Sequence, residues 1–527
     1  MPPCTAGARP ERRPRKLEAA GAAAARPAAV RPRLAVRASA RCGMLTAMDT
    51  EEFRRLGHQL IEEIAAYRET LADRPVMSQV APGEIRARFA TSPPASGGGL
   101  AAALPALERD LLPGITHWNH PSFFAYFPSN TSLASILGDL VCAGLGAQGM
   151  SWQTSPACTE LEEVVVDWLR QMLGLPEAFS GVIHDTASTA TLCALLCARE
   201  RASAFAQQRE GLQGGGAPLV VYASEQAHSS VEKAALLAGF GKAHLRAIAT
   251  DDEYALRADA LEAAIRDDLA AGRRPCAVVG TCGTTATTAL DPIAAIAELA
   301  ERHGLWLHVD AALAGSAMVL PECRWMWAGV ERADSVVINP HKWMGIGFDF
   351  TLYLVRDPQH LVRVMATNPS YLHTAQDQVA KNLRDWGIPL GRRFRALKAW
   401  MVLLDQGVDG IARRLRRDLA NARWLAAQLD AAPGWERLAP VPLQTVCARH
   451  VPAGVRGDDE AAVRRHNLEL ADRVNRSGRA YLTPSLLRGR QMLRLSIGAE
   501  PTERAHVEAL WLLLRETAAA GAASAGG

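Results

Sequence analysis

The chain has no run of about 18 consecutive apolar residues, so no membrane-spanning helix is expected. Its ten cysteines form no CxxC pair and show no zinc-ligand spacing, which argues against a metal site and against a redox dithiol. They read as free, buried thiols of a cytoplasmic protein in a reducing compartment. No continuous apolar segment follows the N-terminal charges, which excludes a secretory signal. A charge excess is also missing. The net charge is only +3, and the first 43 residues hold nine arginines and Lys16 against Glu11 and Glu18, so the remainder is mildly acidic. Nothing in that balance draws the protein to nucleic acid or to an anionic membrane. Internal repeats are absent as well.

What is present is an ordinary globular composition, 49% hydrophobic and 21% charged over 527 residues, enough for a large core and more than one domain. Residues 1–47 are a different kind of sequence, rich in Ala, Arg and Pro. Transit peptides share that composition. The preferred reading is a translation start placed too far upstream, with Met44 or Met48 as the start and the preceding residues disordered. Residues 48–131 read as a helical arm: Phe53, Leu56, Leu60, Ile61 and Ile64 recur at helical spacing, a second helix is expected near Leu100–Leu111, and prolines separate the two. Such an arm makes a poor core alone and is expected to pack on a larger body, including a second subunit.

From Gly181 to Val355 short apolar runs alternate with helical segments. The runs are Leu219–Tyr222, Ala277–Gly280, Leu305–Val309, Ser335–Ile338 and Thr351–Val355. One helix is expected to start at Pro292 with Asp291 as its N-cap and to stop before Gly304. Apolar strands alternating with helices predict an α/β fold with a mostly parallel sheet covered on both faces, whose ligands bind beyond the carboxyl ends of the strands. This large domain is assigned to 132–399. Residues 400–518 read as a smaller α+β domain, and the Ala/Gly-rich 519–527 as a disordered tail.

Polar and ionisable residues follow the strand-like runs. His228 comes after the first, Thr284 after the second, Asp310 after the third, and Asn339, His341 and Lys342 after the fourth. Each alone has an ordinary explanation as a turn, cap or surface residue. Together they meet one chemistry. A lysine amine can form a Schiff base with pyridoxal 5'-phosphate (PLP), and a carboxylate can hold the pyridine nitrogen protonated. A helix N-terminus suits the phosphate, and His184-Asp-Thr186-Ala187-Ser188 opens such a helix.

On these residues the chain resembles the group II PLP-dependent decarboxylases. Asn339-Pro-His-Lys342-Trp looks like their PLP-lysine motif, and His308-Val-Asp310-Ala-Ala312, Ser155-Pro-Ala-Cys-Thr-Glu160, Gln226-Ala-His228-Ser-Ser and Pro389-Leu-Gly-Arg-Arg-Phe394 look like its companions. From about Met48 to Arg515 the chain resembles the aromatic-L-amino-acid decarboxylases, and within them the bacterial DOPA decarboxylases. The resemblance implies the PLP-dependent transferase fold, fold type I, with an N-terminal helical arm and a small C-terminal α+β domain. It implies that Lys342 holds PLP as the aldimine and Asp310 pairs with the ring nitrogen. His228 would stack on one ring face and Ala312 on the other. Thr186, Ala187, Ser188, Asn339 and His341 would surround the phosphate, and Thr284 would lie near cofactor and substrate carboxylate. Tyr371, on a mobile loop, would protonate the α-carbon after CO2 leaves a quinonoid intermediate.

The expected substrate pocket is Trp118, Tyr126, Phe127, Pro128 and Ser129, with Gln148 and Met150 from the neighbouring subunit of a homodimer. Gln148 and Met150 stand where apolar and aromatic residues are typical of the animal enzymes, and Leu313 stands where those carry tyrosine. Arg392, Arg393 and Arg395 read as surface or interface salt-bridge residues. The expected reaction is decarboxylation of an aromatic L-amino acid, with L-DOPA as the favoured substrate because Ser129 can bond a ring hydroxyl. The alternatives are aromatic acetaldehyde synthesis and decarboxylation of tryptophan or tyrosine.

Overall fold

A computed structural model describes residues 48–97, 99–213, 215–367 and 380–525. The chain divides into two compact units, Met1–His58 and Gln59–Gly527. Of the first, the described part is the beginning of helix Thr50–Glu69. Tyr371 lies outside the described residues, as do residues 1–47.

The apolar runs form strands because both their faces are covered. In β6 (Ser335–Ile338), Val336 and Ile338 enter one core while Val337 enters the other; in β4 (Arg274–Thr281), Val278 and Val279 divide in the same way. Five further strands complete this sheet: β1 (Ser180–His184), β2 (Leu219–Ser224), β3 (Leu245–Ile248), β5 (Trp306–Asp310) and β7 (Thr351–Val355). Their order is β1-β7-β6-β5-β4-β2-β3. β7 runs antiparallel to both β1 and β6, and every other pairing is parallel. Six strands therefore share one direction, and the carboxyl ends of β1, β2, β4, β5 and β6 meet at one edge. Helices Ala187–Ala202 and Ser229–Leu237 cover one face. Helices Pro156–Met172, Ile293–His303 and the first half of Arg395–Ala431 cover the other.

β9 (Thr445–His450) is central in a second, antiparallel sheet, of order β10-β11-β9-β8 with β8 (Trp435–Arg437), β10 (Thr483–Leu487) and β11 (Arg490–Ser496). Val446, Leu493 and Leu495 of this sheet pack with Leu470 of helix Glu460–Arg476 and with Val507 and Leu514 of helix Arg504–Ala525.

Three expectations are corrected. Helix Ile293–His303 begins one residue late, with Pro292 at the cap. Asp291 instead turns inward and accepts hydrogen bonds from the backbone N–H groups of Thr281 and Leu256, both at 2.8 Å. Burial raises its carboxyl pKa to about 7. The segment Leu100–Leu111 is broken into Leu100–Ala102, Leu104–Ala106 and Leu107–Leu111, because Pro105 has no N–H to continue a regular helix. The long helix Arg395–Ala431 carries a break at Gly407, whose φ of 60° and ψ of 174° suit glycine. The last helix reaches Ala525 rather than fraying from residue 519, as expected for alanines of high helix propensity.

Candidate active site

Of the residues that follow the strands, His228, His341 and Lys342 line a cavity of about 1,020 Å³ at the shared edge, whereas Asp310, Ala312, Asn339, Thr284 and the Thr186–Ser188 turn do not form its wall. Lys342 sits in the helical turn Pro340–Trp343 directly after β6 and lines the cavity floor, its Nζ 5.3 Å from the centre of the Phe127 ring. The turn is pinned from outside the sheet: Asn130 Nδ2 donates to the carbonyls of Lys342 (3.0 Å) and Gly498 (2.7 Å), and its Oδ1 accepts from the Glu500 N–H at 2.7 Å. Burial lowers the Lys342 pKa to about 8; Asp310 opposes that shift and Arg494 adds to it.

Asp310 ends β5 and is buried, close enough for its charge to act on both Lys342 and His228. Its Oδ1 accepts from the N–H of Ala312 at 3.0 Å, and the Ala312 carbonyl accepts from the N–H of Asn339 at 2.9 Å. His228 lines the cavity and caps helix Ser229–Leu237: its Nδ1 accepts from the Ser230 N–H at 3.1 Å. That bond places the proton of the neutral ring on Nε2. Burial lowers the His228 pKa, Asp310 raises it, and Lys342 lowers it further.

Thr186 stands at the N-cap of helix Ala187–Ala202 without a side-chain capping bond, so the first-turn N–H groups keep their anion-binding capacity. Ala187 is buried there and Ser188 is exposed. Thr351 Oγ1 lies 3.0 Å from the Asp185 carbonyl and 2.8 Å from Asn339 Oδ1, its single proton shared between them, which draws the ends of β1 and β6 together. His341 lines the cavity, hydrogen-bonded through Nδ1 to the Phe350 carbonyl at 2.7 Å. Burial, then the Lys342 charge, push its pKa down to about 4. Thr284 is fully buried and its hydroxyl stays within its own loop, meeting Thr287 Oγ1 at 3.1 Å and accepting from the Ala289 N–H at 3.0 Å; Thr285 and Ala286 form the cavity wall instead.

Trp118, Tyr126, Phe127, Pro128 and Ser129 all line the cavity. Trp118 and Tyr126 stack with centroids 5.5 Å apart. Gln148 and Met150 do not line it within this chain. Gln148 Oε1 accepts from the Arg392 N–H at 2.8 Å, and the Met150 carbonyl accepts from the Arg384 N–H at 2.8 Å. Leu313 is buried in the main core. Arg392 is a correction: it is buried, not a surface residue, and its Nη2 donates to Glu162 (2.8 Å) and to the Ile183 carbonyl (2.6 Å).

Arg494 is the site residue that the sequence analysis overlooked. It comes from β11 of the small sheet, is buried, and its guanidinium lies 4.4 Å from the Phe127 ring centre. Nε donates to the Thr285 carbonyl at 2.8 Å and Nη1 to the carbonyl of Tyr126. Together with the Tyr126 N–H bond to Thr483 Oγ1 (3.3 Å), this holds Tyr126 at a φ of 47°, unusual for a non-glycine residue. Nη2 is buried without a hydrogen-bond partner among the described residues. Burial lowers its pKa to about 10, so the cation persists at neutral pH. The available signal was a single charge inside the apolar run Met492–Ile497.

A lysine, a buried carboxylate and an imidazole at the edge of one sheet, with an uncapped helix end on the same edge, are what PLP requires. Residues 82–451 match the pyridoxal-dependent decarboxylase conserved domain. The chain belongs to the group II PLP-dependent decarboxylases, in the aromatic-L-amino-acid decarboxylase family. It is 41% identical to phenylacetaldehyde synthase of Arabidopsis thaliana over 90% of this chain and 97% of that protein. To aromatic-L-amino-acid decarboxylase of Bos taurus it is 40% identical over 90% and 97%. The solved structure of Oryza sativa TDC with PLP and tryptamine superposes with a TM-score of 0.87 at 36% identity, covering 90% of this chain and 99% of that one. The fold is that of the PLP-dependent type I enzymes, the cofactor is PLP, and the protein is a PLP-dependent carboxy-lyase acting on aromatic amino acids by decarboxylation or aldehyde synthesis.

Proposed function

We propose that the protein converts an aromatic L-amino acid to its amine and CO2, with L-DOPA as the preferred substrate. The observation that carries this reading is one cavity lined by Lys342, His228 and the aromatic wall Trp118–Ser129, with Asp310 beside them. PLP supplies, when bound, an electrophilic carbonyl for the amine and a ring that accepts the electron pair left by CO2.

The chain's own residues do the rest. The lowered pKa of Lys342 raises the neutral, nucleophilic fraction of its amine near pH 8. Asp310 would supply negative charge for the cofactor's ring nitrogen, and His228 would hold the ring. Thr186, Ala187, Ser188, Asn339 and His341 hold the phosphate. The unpartnered Nη2 of Arg494 would take and orient the substrate carboxylate. Tyr371 delivers the proton to the α-carbon. Ser129 accepts or donates a bond to a ring hydroxyl, and a site built for that bond rejects a ring without it.

Exposed Leu133, Leu137, Leu140 and Leu145 on helix Leu133–Leu145 support assembly as a homodimer. The likeness to a phenylacetaldehyde synthase favours aldehyde formation as the second reading; His228 and Tyr371 speak for the amine. The test is incubation of the holoenzyme with L-DOPA, tyrosine, tryptophan, 5-hydroxytryptophan and phenylalanine, measuring CO2, amine, aldehyde and peroxide. Amine from L-DOPA with the largest kcat/KM is expected. Stoichiometric aldehyde and peroxide overturn the reaction assignment, and a larger kcat/KM for tryptophan or phenylalanine overturns the substrate.

A further inference from the structure

The hairpin of β10 and β11 reaches beyond the small domain at two places. At its base, Arg494 bonds the Thr285 and Tyr126 carbonyls, and Thr483 and Ser485 of β10 line the cavity. At its tip, Leu487 pairs with Arg490 across a two-residue loop, Arg488 and Gly489, with φ of 47° and 81°. Two positive φ values are the signature of the hairpin turn that matches strand twist, and glycine normally supplies at least one of them. Arginine at the first position is strained there, which asks what it gains.

Its guanidinium lies over the Tyr254 ring, 4.7 Å from the centre. Nη2 donates to the Thr250 carbonyl at 3.0 Å, to Thr250 Oγ1 at 2.9 Å and to the Asp251 carbonyl. The exposed Asp252 carboxylate, 3.5 Å from Nη1, adds little. Thr250 is buried, and its hydroxyl passes the polarity on, donating to Glu225 Oε1 at 2.5 Å. Glu225 lines the active-site cavity at the end of β2, in the turn that carries His228. That turn is short and bonded internally: the Ala227 N–H reaches the Ser224 carbonyl at 2.9 Å and the Gln226 N–H reaches Ser224 Oγ at 3.0 Å. A pull on Glu225 is therefore transmitted to His228.

We propose that Arg488 is a positioning residue: through Thr250 and Glu225 it ties the small domain's hairpin to the turn that carries His228, and so sets how that imidazole lies over the cofactor. The proposal rests on the reading that His228 covers the PLP ring. Thr250 is the sharpest place to test it, because Thr250→Val removes the hydroxyl with little change of shape, whereas Thr250→Ser keeps it.

Three quantities are measured on each variant: the PLP dissociation constant of the apoenzyme by tryptophan fluorescence quenching, the visible circular dichroism of the holoenzyme, and KM against kcat. Loss of the hydroxyl's two charge-assisted hydrogen bonds, from Arg488 and to Glu225, is expected to raise the PLP dissociation constant and KM about five- to tenfold in Thr250→Val, with kcat within about twofold. Thr250→Ser stays near wild type. Arg488→Ala reproduces Thr250→Val, and the double variant is no worse than either single one. Wild-type behaviour of Thr250→Val, or equal damage from Val and Ser, overturns the relay. His228→Ala is the control for the underlying reading: unchanged cofactor affinity and dichroism there overturn both, whereas a perturbed His228→Ala beside a silent Thr250→Val overturns the relay alone.

Discussion

At the residue scale, Lys342 and Tyr371 carry the sharpest consequences. Lys342 stands in a turn held by Asn130 and beside a buried carboxylate, in the position a Schiff-base lysine needs. Lys342→Ala is expected to abolish the visible cofactor band and to lower turnover by about a thousandfold or more, as loss of a covalent catalyst does. Borohydride reduction of the wild-type holoenzyme followed by peptide mapping checks the same assignment; label on another lysine contradicts it. Tyr371, outside the described residues, is assigned from sequence alone as the proton donor. Tyr371→Phe is expected to keep cofactor binding while amine formation drops sharply, with aldehyde and peroxide appearing under oxygen. Product analysis with and without oxygen decides it, and amine at the wild-type rate reduces Tyr371 to a packing residue.

At the scale of elements, the buried Arg392 joins three of them. It links Glu162 of helix Pro156–Met172, the Ile183 carbonyl of β1, and the segment leading into helix Arg395–Ala431; Glu162 also accepts from the Ile183 N–H at 2.8 Å. β1 leads directly into the turn assigned to the phosphate. Removing one member of such a pair leaves an uncompensated buried charge, which costs about 3–5 kcal/mol. Arg392→Met is expected to lower stability by about that amount in denaturant unfolding. Adding Glu162→Gln is expected to recover part of the loss, since the stranded charge is gone. If the double variant is as unstable as the sum of the single ones, the pair is not what holds these elements together.

For the whole molecule, acid sensitivity follows from burial. His120, His184, His308, His341 and His450 are all pushed down to about 4 by burial, so each is neutral in the folded protein at pH 5.5 and takes up a proton on unfolding. Their contribution is complete above about pH 6.5 and is lost as pH falls toward 4, because the unfolded state then binds more protons. Asp291, raised to about 7, and Asp418, raised to about 6, act in the opposite sense: their stabilisation is present at low pH and lost as pH rises through those values. The five imidazoles outweigh these two carboxyls and Glu163, which burial also raises. The melting temperature is expected to fall by several degrees between pH 6.5 and pH 5, and a flat or rising profile in calorimetry contradicts this balance. The proposed homodimer belongs to the same scale. Leu133, Leu137, Leu140 and Leu145 are 56%, 50%, 50% and 66% exposed on one helix, more apolar surface than an isolated chain usually leaves in one stripe. Sedimentation is expected to give a two-chain mass, and Leu137→Asp with Leu140→Asp to give an inactive monomer; a fully active wild-type monomer contradicts it.

What the sequence alone determined was the layout along strands. Apolar runs with a polar residue at the carboxyl end, as in Val336-Val-Ile338-Asn339 and His308-Val-Asp310, mark both a strand and the edge where its chemistry collects, because inside a strand buried on both faces a polar side chain such as His308 must be paired within the core, whereas at the end it can face a ligand. Lys342, Asp310 and His228 were therefore legible, and so was the aromatic wall. β1 and β3 were not legible, since both are edge strands: Ser180-Gly181 and His184 dilute the apolar run of β1, and β3 has a single fully buried residue. Only the tertiary structure decided the roles of Arg494, Arg392 and Arg488. Each acts on partners far away in the chain, and whether an arginine is a solvated surface cation or a buried donor depends on which carbonyls and carboxylates the fold brings to it. Local pattern contains no record of that meeting. The same holds for Thr284, whose motif points at the cofactor while its buried hydroxyl is used by its own loop.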